Sequence, residues 1–121
     1  MPKYIDGFVI PVPQDNLAAY QKMSKKACKV WMEYGALDYI ETVGDDMEIK
    51  GMATSFPKLA KVKPGEVVVF SYIVYKSRAH RDKVNAQVMK DPRLNEMCDG
   101  KNMPFNPKRM AYGGFKSIVE A

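Results

Sequence analysis

Apolar residues recur along this chain in two rhythms, one of period two and one near 3.6, and the switches between them mark the elements. Tyr4–Pro11 (YIDGFVIP) is rich in β-branched and aromatic residues and stops at Pro11-Val12-Pro13, which predicts a first strand. A helix is expected from Asp15 or Asn16, either of which can accept hydrogen bonds from the free amides of a first turn. Its apolar stripe is Leu17, Tyr20, Ala27, Trp31 and Tyr34, with Met23 and Val30 on the margins. Lys22, Lys25, Lys26 and Lys29 cover the opposite side, and Gly35 stands where a helix end favours a left-handed residue. Ala36–Val43 alternates Leu37, Tyr39 and Glu41 with Asp38, Ile40 and Thr42, which predicts a second strand.

A connection containing Gly51, Pro57 and Pro64-Gly65 follows, in which Ser55-Phe56-Pro57 reads as the start of a short helix. Val67–Tyr75 (VVVFSYIVY) is the third strand, and it lacks polar alternation. Such a strand must be buried on both faces. Ser77 caps a second helix over Arg78–Lys90, whose inward line is His80, Val84 and Val88 with Met89 beside it. Asp91-Pro92 ends it, because the residue before proline avoids the helical region. Arg93–Asp99 reads as a further turn or two, Met103–Pro107 as a loop and Met110–Val119 as the last strand.

The order is β-α-β-β-α-β, the ferredoxin-like arrangement of the α+β class, with one four-stranded antiparallel sheet. Two helices cover one face of such a sheet. The apolar second face of strand three needs a cover as well, and a second copy related by a two-fold axis supplies it. A homodimer is therefore expected from patterning alone.

Composition narrows the class. The 121 residues form a single domain, residues 1–121, with 46% apolar and 27% charged positions. No stretch approaches the roughly 20 apolar residues of a membrane-spanning helix, so no membrane role is expected. Asp6 comes too early for a signal peptide. Cys28 and Cys98, with no export signal, read as reduced thiols in a cytoplasm. One His and two Cys cannot supply a zinc site, so neither metal nor other cofactor is expected. The net charge of +5 comes from 19 basic and 14 acidic residues without a like-charge run, which gives a solvated basic surface and no nucleic-acid partner.

Several stretches are distinctive: YIDGFVIPVP at Tyr4–Pro13, VFSYIVY at Val69–Tyr75, SRAHRD at Ser77–Asp82, MPF at Met103–Phe105 and KRMAYGGF at Lys108–Phe115. Together they resemble the YbaA-like family of small bacterial proteins, a domain of unknown function, over nearly the entire chain. The resemblance implies the dimeric α/β-barrel superfamily and no particular activity. That superfamily includes cofactor-free monooxygenases, lactone isomerases, haem-degrading enzymes and ligand-sensing domains, a breadth at which kinship of fold is analogy only. Haem-degrading members carry a tryptophan inside the second helix and a histidine soon after it. Here Val84 and Asn85 occupy the helix, and Leu94–Met97 holds no histidine. Haem degradation loses its support.

Candidate chemistry starts with His80, the one imidazole, whose neutral-range titration suits proton transfer. The alternative is a partly buried ring bonded to a backbone carbonyl or a tyrosine. Asp6 and Glu41 are carboxylates among apolar groups, suited to acid or base work or to pairing with Arg78, Arg81 or Arg109. Gly7, Gly113 and Gly114 lie in strands and point to a bulge or to a close approach. Trp31, Tyr72, Tyr112 and His80 are the candidate ligand-binding residues, amphipathic side chains suited to a flat, apolar or aromatic molecule. Three functions compete: a small-ligand binding protein with a pocket between sheet and helices, a cofactor-free monooxygenase or isomerase of an aromatic or quinone-like substrate, and an interaction module with a filled core. His80, Asp6 and Glu41 are the catalytic candidates. Whether the protein is an enzyme stays open at this point.

Overall fold

The computed structural model describes residues 2–51, 53–97 and 103–121. Its elements are β1 (Tyr4–Pro13), α1 (Leu17–Glu33), β2 (Asp38–Val43), α2 (Phe56–Leu59), β3 (Glu66–Tyr75), α3 (Arg78–Met89), α4 (Pro92–Met97) and β4 (Ala111–Lys116). The strands form one antiparallel sheet in the order β2-β3-β1-β4, the ferredoxin-like order. Within one chain the sheet is open, with β2 and β4 as its edges. The expected Cys98 thiol and the end of the Arg93–Asp99 segment lie outside the described residues.

Local chemistry sets the boundaries. β1 runs through Pro11 to Pro13 where the proline pair predicted a stop. The reason is register: β4 pairs β1 only from Tyr4 to Val9, so the prolines meet an edge on that side and their missing donors leave no partner unserved. α1 ends in a Schellman motif, with the Gly35 amide donating to the Met32 carbonyl and the Ala36 amide to Trp31. Gly35 adopts φ 107°, a conformation that glycine takes without steric cost. That turn delays β2 to Asp38, two residues later than alternation suggested. Ser55 and Ser77 cap α2 and α3 by accepting from the Lys58 and His80 amides.

Strand pleating divides the sheet into two faces. α1, α3 and α4 cover the first, where Tyr4, Asp6, Ile10 and Val12 of β1 lie opposite Tyr75, Ile73, Val69 and Val67 of β3. Two buried clusters form there, one around Val30, Ile73, Tyr75, Val84 and Val88, the other around Ile10, Val12, Tyr20 and Val69. Burying a Val side chain is worth about 1.5–3 kcal/mol, so Val84 and Val88 anchor α3. The second face carries Ile5, Val9, Phe70, Tyr72 and Phe115. Among the described helices α2 reaches it, through the Phe56 ring 6.0 Å from Phe70. Phe115 is 61% exposed and Phe70 44%, so within one chain β3 is sealed on one face and half-covered on the other.

Gly7 and Gly114 mark close approaches, and no bulge occurs at the strand glycines. The β1–β4 ladder runs one-to-one through Gly7, Gly113 and Gly114. A Cβ on Gly114 would sit 2.5 Å from Tyr4 Oη, whereas one on Gly113 would meet Phe115 at an ordinary 3.7 Å. Gly114→Ala is therefore expected to cost about 1–3 kcal/mol by denaturant melting, as overpacking does, and Gly113→Ala to stay within about 0.5 kcal/mol of wild type. Equal effects at the two positions would show that Tyr4 is not what demands the glycine.

Candidate functional site

The two core clusters do not meet completely. Between them lies a cavity of about 380 Å³, roofed by α1, α3 and α4 and floored by the sheet. The Met103–Met110 stretch closes one end, held to the start of α1 by Asn16 Nδ2 donating to the Pro104 carbonyl at 3.0 Å. The walls are mainly apolar: Phe8, Ile10, Trp31, Ile73, Leu94 and Phe105, and five of the nine methionines, Met23, Met89, Met97, Met103 and Met110. Methionine side chains are flexible and polarizable, and they adapt to varied apolar surfaces.

Two polar groups interrupt these walls. The first centres on Asp6 in β1, which is 1% exposed. Its Oδ2 accepts from Asn85 Nδ2 at 3.3 Å, and Arg81 Nη1 stands 3.4 Å from Oδ1. Among the described residues that oxygen has no closer donor than Arg81, and it is sealed from solvent. Asn85 Oδ1 in turn accepts from Trp31 Nε1 and Tyr75 Oη, both at 3.0 Å. Arg81 donates to Tyr112 Oη at 3.0 Å and lies 4.8 Å from the centre of the Tyr4 ring. Arg81, Asn85 and Val88 stand four and three residues apart, which puts this network on the inward face of α3.

The second centres on Glu41 in β2. It accepts from Tyr20 Oη at 2.7 Å, from Tyr39 Oη at 3.1 Å and from Ser24 Oγ. Among the described residues no basic side chain pairs with it. Burial, and then the charge of Glu41, push the Tyr20 and Tyr39 phenols well above the usual range. Burial followed by the charge of Asp6 does the same at Tyr75. These phenols act as donors at neutral pH.

The structure thus brings together Asp6, Glu41, Trp31 and Tyr112 of the expected residues around one cavity, while Tyr72 borders it from β3 with its ring on the second face beside Phe70. His80 is not brought to its lining. It sits on the first turn of α3, where Nδ1 accepts from the Lys76 amide at 2.9 Å and the ring meets Tyr75 edge-on at 5.9 Å. Asp6 takes the expected arginine pairing through Arg81, while Arg109 pairs with Glu66 and leaves Glu41 to hydroxyl donors. Ser24 and Asn85 were missed. Ser24 lies four residues after Tyr20 and seven before Trp31, so a polar residue on an otherwise apolar stripe was the available signal. Asn85 offered none beyond its place beside Val84.

This is a ferredoxin-like α+β domain whose two polar groups border an interior apolar cavity. Residues 3–107 match the family described as "Protein of unknown function (DUF1428)", and the chain belongs to it. It is 45% identical over 118 residues to the uncharacterized protein YbaA of Escherichia coli, covering 98% of each chain. The YbaA of Shigella flexneri matches to the same extent. A solved dimeric ferredoxin-like protein from an uncultured marine organism aligns over 100% of both chains with a TM-score of 0.64 and 13% identity, a likeness of fold alone.

Alkaline titration checks the phenols. A tyrosine whose folded pKa is raised lends stability fully present below its unfolded value of about 10 and lost as pH climbs beyond it. Ultraviolet phenolate absorbance should show Tyr20, Tyr39 and Tyr75, three of the seven tyrosines, resisting ionisation until the protein unfolds, with melting temperature falling above pH of about 10. Seven phenolates forming together near the free value in folded protein would contradict the buried donor network.

Proposed function

We propose that this protein binds a small apolar or aromatic ligand in the cavity between sheet and helices. The observation that carries the reading is an apolar cavity of about 380 Å³ bordered by two polar groups, one around Asp6 and one around Glu41. A mainly apolar space with a few placed polar groups is what small-molecule sites look like. Trp31 and Tyr112 offer ring surface to a flat molecule. The same geometry speaks against a filled core. The lone His80 ring, occupied by the Lys76 amide and outside the lining, is assigned a structural part.

A second reading, a cofactor-free monooxygenase or isomerase of an aromatic substrate, draws on Asp6 and Glu41, carboxylates of the cavity lining and of the type that takes protons. Consumption of O2 or isomer formation separates catalysis from binding. The Cys28 thiol is half-buried and pushed up by burial, and two cysteines seventy positions apart suit a cytoplasmic setting. The ligand test uses saturable change in Trp31 fluorescence on adding a neutral naphthalene derivative. Ala27 lines the cavity, so Ala27→Phe should fill it and weaken binding at least about tenfold while melting temperature holds. Absence of saturable binding to wild type removes the reading.

We further propose that two copies pack their open sheet faces together as a dimeric α/β barrel. The support is the apolar second face and the dimeric state stated for the marine protein of the same fold. Sedimentation should give about 27 kDa, twice 13.7 kDa. Val9→Lys, at the middle of that face, should yield insoluble protein. A soluble wild-type monomer at micromolar concentration would overturn the assembly.

A further inference from the structure

The charged residues lining the cavity are Asp6 and Glu41, both carboxylates, and among the described residues no Lys, Arg or His joins them. This is unexpected in a chain of net charge +5. The two differ in how they are balanced. Asp6 has Arg81 at 3.4 Å, from outside the lining, whereas Glu41 has only the hydroxyls of Tyr20, Ser24 and Tyr39. Hydroxyl donors solvate a carboxylate without neutralising it. A carboxylate offers about four acceptor sites, and three donors leave one open.

Aromatic rings surround the donors. Tyr39 lies 6.2 Å from Trp31 and Tyr20 lies 5.6 Å from Phe105, centre to centre, so both phenols that serve Glu41 belong to aromatic pairs. The faces of such rings attract cations. On the far side, buried Asp6 faces Arg81 through Oδ1 and Asn85 through Oδ2. An anion placed in this cavity would face two carboxylates at low dielectric with no counter-charge in the lining.

Resting on the ligand-binding reading, we infer that the cavity takes an organic cation, a flat apolar or aromatic body bearing a protonated amine, and rejects the corresponding anion. The amine lies against Glu41 and the ring pairs, and the body fills the methionine-lined space. The basic exterior acts in the opposite sense, since it draws anions to the surface. Salt distinguishes the two, because exposed attractions are screened over about 8–10 Å at physiological ionic strength and interior ones much less.

Three probes sharing one ring test this: 2-(1-naphthyl)ethylamine, 1-ethylnaphthalene and 1-naphthaleneacetate, titrated calorimetrically at about 0.15 M salt. The amine should bind wild type at least about tenfold tighter than the acetate. Glu41→Gln should weaken the amine about tenfold and leave the neutral probe within about twofold, with melting curves confirming that the variant folds. Should Glu41→Gln not fold, the wild-type ranking of amine over acetate decides. Binding of the neutral probe with no preference for the amine overturns the cation inference and leaves the ligand reading standing. Failure of all three probes overturns both.

Discussion

A carboxylate in a central strand, cut off from water, is the constraint on which this structure turns. Asp6 lies in β1 between β3 and β4, in the layer that the helices cover. Removing a charge from water without compensation costs far more than any single apolar contact returns. α3 supplies the compensation through Arg81 and Asn85. Asn85 then passes the constraint outward by accepting from Trp31 of α1 and Tyr75 of β3. One buried charge thereby fixes the placement of two helices over the sheet.

That placement also leaves the cavity open. Arg81 and Asn85 hold α3 over one side of Asp6, and the helices meet the sheet through large rings and methionines where compact aliphatic side chains would have closed the space. Glu41 has a similar effect on the other side. Tyr20 and Ser24 reach down from α1 to serve it, so this part of α1 bonds to the sheet where it would otherwise interdigitate with it. Full satisfaction of a polar group and full packing of an apolar core compete for the same positions, and here the polar groups prevail at both margins.

The two faces of the sheet complete the division of labour. The helix-covered face holds Asp6 and Glu41, and the second face offers Ile5, Val9, Phe70, Tyr72 and Phe115, with Asp38 at its β2 edge. Buried carboxylates on one face and exposed apolar side chains on the other are the informative departures from an ordinary sheet. The binding and assembly readings follow from them, one from each face.

Much of the fold was legible in the residues because periodicity and capping are local. The alternation in β2, the long stripe of α1, Gly35 as its stop and the Ser77 cap of α3 all follow from neighbours within a turn or a pleat. The reach of β1 past Pro11 was not local, since it depended on where β4 ceased to pair. Nor was the demand for Gly114, which comes from the Tyr4 ring across the ladder. The site divided in the same way. Asp6, Glu41, Trp31, Tyr72 and Tyr112 were legible as polar or amphipathic residues in apolar elements, but His80 looked equally eligible. Only packing assigned its ring to the Lys76 amide and gave Asn85 and Ser24 the central hydrogen bonds. Sequence by itself determined the elements and their order, because hydrophobic period is written residue by residue. Tertiary structure decided which polar side chains share one space, because residues as far apart as Asp6 and Asn85 meet only once the sheet and α3 have closed on each other.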